Sequence, residues 1–283
     1  MWAEVLQSDT HALGPGSTVA RVVDGSLHDH ALSGMAGVAN TGSDRNWSGS
    51  IFDQANWYAF GRLAWNPELE AGEIAREWLR MTFSRDEVFV EKAGEIMMRS
   101  REAVVDYMTP LGLAHLMGTG HHYGPAPWVD DLGRPEWNPF YYHRADGDSI
   151  GLDRTGTGSD AVSQYAPPLK ALFANRESVP EELLLWFHRV GWDEQLDSGR
   201  TLWEELVFRY DRGVSEVEAM RKSWAELEPY VDPERFTSVM NNLAVQHREA
   251  RWWRDACLSY FSERAGRPLP DGTRAPEKSL EHY

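Results

Sequence analysis

The segment between residues 118 and 154 concentrates the side chains best suited to chemistry. Planar rings can stack on the axial hydrogens of a sugar, and imidazole and guanidinium groups can bind its hydroxyls. Long connections without a periodic apolar pattern are mostly either disordered or functional, and disordered segments contain few aromatic residues. We therefore predict an ordered loop that lines a polar, aromatic-walled site suited to a sugar. Its aromatic and basic residues include Tyr123, Trp128, Trp137, Phe140, Tyr141, Tyr142, His121, His122, His143, Arg144 and Arg154.

Several of these residues allow more than one interpretation. His121 and His122 could bind a metal, but adjacent side chains in an extended loop point to opposite sides, and no third ligand follows at metal-site spacing. We therefore predict no metal at this pair, and a hydrogen-bonding role for one of the two histidines. Trp128 and Trp137 either pack the loop onto the helices or stack on a sugar. Arg154 either pairs with Asp153 or faces an anionic ligand.

A second candidate site follows the apolar run at residues 34–42, which predicts one buried parallel strand. Active sites of α/β barrels lie at the carboxyl ends of such strands, so position alone makes Arg45 and Trp47 candidates. The alternative is that Asp44, Arg45 and Asn46 simply form a turn held by local hydrogen bonds. The loop aspartates could be combined into a hydrolytic pair, although no predicted barrel strand carries them.

The rest of the chain predicts helices, so the fold class is mainly α. Their predicted spans are residues 53–65, 71–83, 84 to about 109, 180–189, 201–212, 215–227 and 233–265. A capping box opens the third helix, and Gly213 is interpreted as the C-terminal cap of the helix at 201–212. Residues beyond 266 are rich in Pro, Gly and charge, which favours a flexible tail.

Composition excludes several classes of partner. The formal net charge is −16, and no cluster of Lys and Arg offers a surface for a phosphate backbone or an acidic membrane. No apolar run is long enough to span a bilayer. Cys257 is the single cysteine, so we expect a core thiol and no intrachain disulfide. The first residues lack the features of a signal peptide, which favours a cytoplasmic location, with an extracellular one as the alternative.

Six motifs together resemble the family 67 glycoside hydrolases, the α-glucuronidases of xylan breakdown. The similarity extends from about residue 1 to residue 261. The motifs are GVANTGSDRNW (37–47), QANWYAFGRLAWNP (54–67), HHYGPAPW (121–128), WNPFYYHR (137–144), GLDRT (151–155) and WWRDAC (252–257). The resemblance implies that residues 1–52 close a (β/α)8 barrel, that residues 53–265 form a helical C-terminal domain, and that 266–283 form a tail.

The resemblance also implies an activity. Such enzymes remove glucuronic or 4-O-methyl-glucuronic acid, α-1,2-linked to xylose of xylo-oligosaccharides, with inversion and without metal or cofactor. The implied partners are these oligosaccharides, the remaining barrel domain and a second copy of the chain. The catalytic carboxylates are expected upstream of Met1. The alternative is a non-catalytic module that binds acidic xylo-oligosaccharides or dimerises. The expected substrate-binding residues are Arg45, Trp47, His121, His122, Tyr123, Trp128, Trp137, Arg144 and Arg154.

Overall fold

The computed structural model describes residues 1–39, 42, 43, 46, 49–120 and 122–282. This part of the chain is mainly helical, which confirms the predicted fold class. The chain divides into two compact units. The first contains Met1–Arg101 and Ala219–Val245, and the second contains Glu102–Glu218 and Gln246–Tyr283. Three long helices contribute residues to both units, and they span Glu87–Met108, Leu202–Ala225 and Pro233–Ala265.

The first unit is built from helices joined by short connections. Its complete helices are α1 (Trp2–Gln7), α2 (Val19–Val23), α3 (Asp53–Trp65) and α4 (Ala71–Thr82), followed by the start of α5 (Glu87–Met108). Leu6, Ala20, Leu63 and Ile74 form one apolar cluster. Aromatic rings form another cluster, in which the fully buried Trp224 meets three phenylalanines edge-on, namely Phe52, Phe83 and Phe89. Both clusters remove apolar surface from water, the main driving force for this packing.

The second unit holds the aromatic loop between helices. Its shorter elements are α6 (Pro139–His143), β1 (Ser149–Ile150), α7 (Pro167–Ala174), α8 (Leu184–Phe187) and β2 (Val190–Gly191). Parts of α9 (Leu202–Ala225) and α10 (Pro233–Ala265) complete it. The two strands are antiparallel, with Ser149 opposite Gly191 and Ile150 opposite Val190. This short pairing fixes the end of the loop against the segment that follows α8.

Local signals predicted several helix bounds well. Helices α3 and α10 span the predicted residues, and α4 ends one residue early. The helix predicted at 180–189 is shorter, because a 3-10 turn at Glu181–Leu183 precedes α8 and β2 follows it. Among the described residues, no helix is long and apolar enough to cross a membrane.

The predicted helix end at Gly213 is wrong, because α9 continues through this position to Ala225. A Cβ at residue 213 would lie 2.5 Å from the backbone nitrogen of Tyr107 and 2.9 Å from Cβ of Asp106. Both residues belong to α5, so Gly213 allows two helix backbones to approach each other closely. Its missing side chain serves helix packing and not helix termination.

The strand predicted at residues 34–42 is also wrong for residues 34–39. They have no regular secondary structure, and Val38 is 97% exposed. A strand needs a hydrogen-bonded neighbour, and the described residues place none beside this segment. The predicted barrel origin of residues 1–52 stays a prediction.

Residues after 266 make specific contacts, although their composition favours a flexible tail. The indole nitrogen of Trp203 donates to the carbonyl of Pro268 at 2.9 Å. The buried guanidinium of Arg254 donates to the carbonyl of Arg274. The backbone nitrogen of Glu277 donates to the carboxylate of Asp255 at 3.1 Å. These bonds attach the segment to α9 and α10 within the second unit.

Candidate functional site

The aromatic loop begins with a tight turn held by backbone hydrogen bonds. The backbone nitrogen of Ala126 donates to the carbonyl of Leu116 at 2.7 Å, and that of Gly118 donates to Gly124 at 3.0 Å. Gly124 has a φ of +71°, and a Cβ there would collide with the indole of Trp252. Glycine is therefore required for the loop to lie against α10 at this point.

His143 anchors the loop from inside. Its ring is fully buried and lies edge-on to Tyr260 and Phe261, with centroids 5.5 and 5.4 Å away. Its Nδ1 accepts a hydrogen bond from the backbone nitrogen of Ala145 at 3.0 Å, so the proton lies on Nε2, 2.8 Å from the carbonyl of Pro127. Burial lowers the pKa of His143 to about 4. This histidine is therefore neutral near pH 7 and holds the loop together.

Asn138 fixes the next turn of the loop. Its buried side-chain amide accepts from the backbone nitrogen of Leu132 at 2.9 Å and donates to the carbonyl of Arg134 at 3.0 Å. The chain between them is thereby folded back on itself, and Trp137 is presented at the end of a 3-10 turn. A buried amide with its hydrogen bonds satisfied is a rigid support for an exposed ring.

A groove of about 470 Å³ runs along this loop. Its wall combines the ring of Tyr141 with polar groups of Asp130, Arg144, Asp146 and Arg189. The guanidinium of Arg189 pairs with Asp146 and donates to Ser149 Oγ at 2.8 Å and to the Arg144 carbonyl at 2.9 Å. An aromatic face beside charged and hydrogen-bonding groups can hold a sugar.

Two carboxylates of the loop, those of Asp146 and Asp153, are poorly suited to donating a proton. The pKa of Asp146 is lowered overall. Burial by itself would raise this pKa, but hydrogen bonds from the backbone of Asp148 and Ser149 and the positive charge of Arg189 outweigh burial. The pKa of Asp153 is also lowered, because hydrogen bonds from Thr157 and Thr155 outweigh burial, which by itself would raise the pKa. A general acid of a glycosidase needs a raised pKa, so neither aspartate fits that role.

The predicted tryptophans differ in accessibility. Trp137 is 53% exposed and has the guanidinium of Arg134 above its ring at 5.2 Å. In the sequence it stands between Pro135 and Asn138, which line the groove. Trp128 is half-buried and contacts the edge of Tyr260, with ring centroids 6.5 Å apart. Packing against Tyr260 of α10 thus explains part of the burial of Trp128, whereas Trp137 presents its ring to solvent.

The predicted site residues His122 and Tyr123 are on the surface. His122 is exposed with a φ of +55°. Tyr123 is 56% exposed and lies edge-on to Trp252, and a hydrogen bond with Glu249 raises the pKa of its hydroxyl. The predicted site residues Arg45, Trp47 and His121 lie outside the described residues. Within the described part of the chain, no three His, Cys, Asp or Glu side chains converge on a point that could hold a metal.

Arg154 does not pair with Asp153, so the salt-bridge alternative is wrong. The carboxylate of Asp153 accepts from the backbone and side chain of Thr155 and from the hydroxyl of Thr157 at 2.7 Å. The guanidinium of Arg154 lies over the indole of Trp186, 3.6 Å from its centroid, and donates to the Trp186 carbonyl. Burial lowers the pKa of this arginine.

Sequence reasoning missed Trp186 and Arg189. Trp186 has the helical spacing typical of core residues, and its contact with Arg154 joins positions 32 residues apart. Arg189 reaches Asp146 across 43 residues because β1 pairs with β2. No local sequence pattern indicates such contacts, because the partners are far apart in the chain.

Two family models together match residues 1–274 of the chain. The model described as "Glycosyl hydrolase family 67 middle domain" matches residues 1–47, and "Glycosyl hydrolase family 67 C-terminus" matches residues 48–274. Among curated proteins, Alpha-glucuronidase A of Emericella nidulans is 36% identical over 95% of this chain and 31% of its own length. Probable alpha-glucuronidase A of Aspergillus niger is 32% identical over 95% of the chain and 32% of its own.

A third relative gives the same result. Probable alpha-glucuronidase A of Aspergillus oryzae is 33% identical over 94% of this chain and 32% of its own length. The chain therefore spans about a third of the length of these relatives.

Proposed function

Because the chain belongs to glycoside hydrolase family 67, we propose that it forms the helical part of an α-glucuronidase. The proposed reaction is inverting hydrolysis of the α-1,2 bond between glucuronic or 4-O-methyl-glucuronic acid and xylose of xylo-oligosaccharides. Support comes from the α-glucuronidase relatives and from the aromatic groove of the loop. The observation that carries the sugar-binding role is the exposed indole of Trp137, held by a rigid turn beside that groove.

In this proposal the groove holds the xylose part of the substrate. The ring of Trp137 offers a stacking face, and Tyr141 offers a second one on the groove wall. The carboxylate of Asp146 and the guanidinium of Arg144 are placed to bind hydroxyl groups. Trp128 contributes less, because Tyr260 already covers an edge of its ring.

We propose further that the loop aspartates do not supply the chemistry of bond cleavage. Inverting glycosidases need an acid of raised pKa and a base about 6.5–9.5 Å apart, and the pKa of Asp146 is lowered. The 283-residue chain should therefore release no glucuronic acid from aldotriouronic acid. Release that disappears in Asp146→Asn would overturn this part of the proposal.

Isothermal titration calorimetry with aldotriouronic acid tests the binding role. The chain should bind with a dissociation constant between micromolar and millimolar, and Trp137→Ala should weaken binding by up to about tenfold, the value of one aromatic stacking contact. Trp65→Ala is the matched control, since Trp65 is 88% exposed and belongs to the first unit. Equal affinities of the Trp137 and Trp65 variants would contradict the proposed platform.

A dimerisation surface is a second proposed role, since the resemblance to family 67 implies a second copy of the chain as a partner. Sedimentation equilibrium of the 283-residue chain should show a dimer. A monomer at all concentrations would contradict this role.

A further inference from the structure

A second groove, of about 590 Å³, lies in the second unit between α10 and the segment that follows it. We call it the tail groove. Among the described residues, it shares no lining residue with the groove of the aromatic loop, and the proposed function makes no use of it. Three of its residues lie beyond residue 274, where the match to the family model ends. Its lining residues are Arg248, Glu249, Arg251, Trp252, Asp255, Glu277, Lys278 and His282.

Helix α10 supplies one wall of the tail groove, and the tail supplies the other. Positions 248, 251, 252 and 255 recur at three- and four-residue spacing, which places their side chains on one face of a helix. The tail is attached to this face at Glu277, whose backbone nitrogen donates to Asp255 at 3.1 Å and whose carboxylate pairs with Arg251. The two walls are therefore fixed against each other by specific bonds.

Two carboxylates of the tail groove are already neutralised within the protein. Asp255 is buried and accepts from Nη1 of Arg254 at 2.6 Å, besides the bond from the backbone of Glu277. Glu277 pairs with Arg251 and accepts from Nη2 of Arg274 at 2.8 Å. An anion that enters the groove therefore meets carboxylates whose charge is offset by arginines.

Two cations of the tail groove remain open to a ligand. Lys278 is exposed and forms no hydrogen bond or ion pair with another described residue. Arg248 is 70% exposed at its side chain, and its ion pair is a long one of 3.8 Å to its neighbour Glu249. The chain has 44 acidic and 28 basic residues, so carboxylates are plentiful elsewhere. The groups that this groove presents to a ligand are nevertheless mainly cationic.

A histidine and an aromatic ring complete the tail groove. Nδ1 of His282 lies 2.8 Å from the hydroxyl of Ser279, so Nε2 remains for a ligand. The half-buried indole of Trp252 is held by the aromatic loop, since Tyr123 meets it edge-on at 5.7 Å and a Cβ on Gly124 would collide with it. The indole therefore gives the groove a fixed apolar surface beside its cations.

We propose that the tail groove binds a sugar phosphate, with the phosphate held by Arg248, Lys278 and His282 and the sugar against Trp252. A phosphate monoester carries a charge of about −1.5 to −2 at pH 7 and presents three acceptor oxygens. These oxygens suit donors that approach from two separate walls, and both lysine and arginine bind phosphate. Sugar rings stack on aromatic faces. The volume of the groove is within the range of about 300–1,000 Å³ that is typical of small-molecule sites.

Calorimetric titration of the 283-residue chain tests this site with glucose 6-phosphate, inorganic phosphate and glucose. Glucose 6-phosphate should bind, inorganic phosphate should bind more weakly because it lacks the ring, and glucose should show no binding that depends on Lys278. Lys278→Ala should weaken the binding of glucose 6-phosphate at least about tenfold, the value of one lost hydrogen bond to a charged group. Lys170→Ala is the matched control, since Lys170 is an exposed lysine of the same unit outside the groove.

Two further variants separate charge from folding. Lys278→Arg keeps the charge and should retain most of the affinity, whereas Arg248→Ala should weaken binding as Lys278→Ala does. Both side chains are exposed, so all variants should keep the circular dichroism spectrum of the wild type.

Equal affinities of the wild type and Lys278→Ala for glucose 6-phosphate would overturn the proposal. Equal affinities for inorganic phosphate and glucose 6-phosphate would also overturn it, because the sugar would then add nothing. The response of aldotriouronic acid to Trp137→Ala does not depend on these results. The proposed function and the tail groove can therefore fail separately.

Discussion

Acidification should destabilise the second unit through His143. The imidazole is fully buried and uses both nitrogens within the loop. Its pKa is lowered from 6.5 to about 4 by burial. Below about pH 6.5 the unfolded chain binds a proton at this residue while the folded chain does not, so the free energy of unfolding falls with pH. The loss stops below the folded pKa, where both states are protonated.

The size of this effect follows from the two pKa values. Linkage gives a loss of about 2.5 kcal/mol between about pH 7.5 and about pH 4.5 from this one histidine. Burial also lowers the pKa of His115 and His188, so the whole protein should lose more. Comparison with His143→Gln isolates the contribution of His143, because glutamine has an amide nitrogen to replace Nε2 and does not titrate.

Urea unfolding followed by circular dichroism at the two pH values provides the measurement. The wild type should lose about 2.5 kcal/mol more than His143→Gln on acidification. His122→Gln serves as the control, since His122 lies on the surface of the same loop, and should follow the wild type. Identical pH dependence in the wild type and His143→Gln would refute the assignment of His143 as a buried neutral anchor.

Three further predictions concern packing and reactivity. In urea unfolding, Gly213→Ala should lower the free energy of unfolding by about 1–3 kcal/mol, because the added Cβ would lie 2.5 Å from the backbone of Tyr107. Gly94→Ala is the control: the added Cβ would have no neighbour nearer than 4.0 Å, so it should stabilise α5 by about 0.5–1 kcal/mol. Arg254→Met should make residues 267–282 more accessible to trypsin. The 3% exposed guanidinium of Arg254 donates hydrogen bonds to the Arg274 carbonyl and to Asp211 and Asp255, and the variant loses all of them. An unchanged trypsin cleavage pattern would contradict this prediction. Burial raises the pKa of the fully enclosed Cys257 to about 12, so the native thiol should resist Ellman's reagent near pH 8 and react only in denaturant.

The helical part of the fold was largely predictable because its signals are local. The helices at 53–65 and 233–265 follow from periodic apolar residues bounded by prolines, and backbone hydrogen bonds within a helix join residues four apart. The order of the aromatic loop was also predictable from its composition. The apolar run at 34–39 misled the prediction, because a strand depends on a neighbour that the described residues do not provide.

The candidate site was predictable in composition and not in geometry. Tyr123, Trp137 and Arg144 were expected at a binding surface, and all three are exposed. The sequence could not distinguish Trp137 from Trp128, since accessibility depends on the ring of Tyr260, more than 120 residues away. The role of His143 as an anchor could not be foreseen for a similar reason, because it depends on the rings of Tyr260 and Phe261, which are also distant in the chain.

The sequence by itself determined the family, the mainly helical fold and the residue types of the loop. Only the tertiary structure decided that Gly213 lies inside a helix, because its packing partner Tyr107 is distant in the chain. It likewise decided that Arg189 takes Asp146 as its partner while Arg144 and Arg154 take none among the described carboxylates. Helix formation depends on neighbours along the chain, whereas the choice of an ionic partner depends on which groups the completed fold brings within a few ångströms.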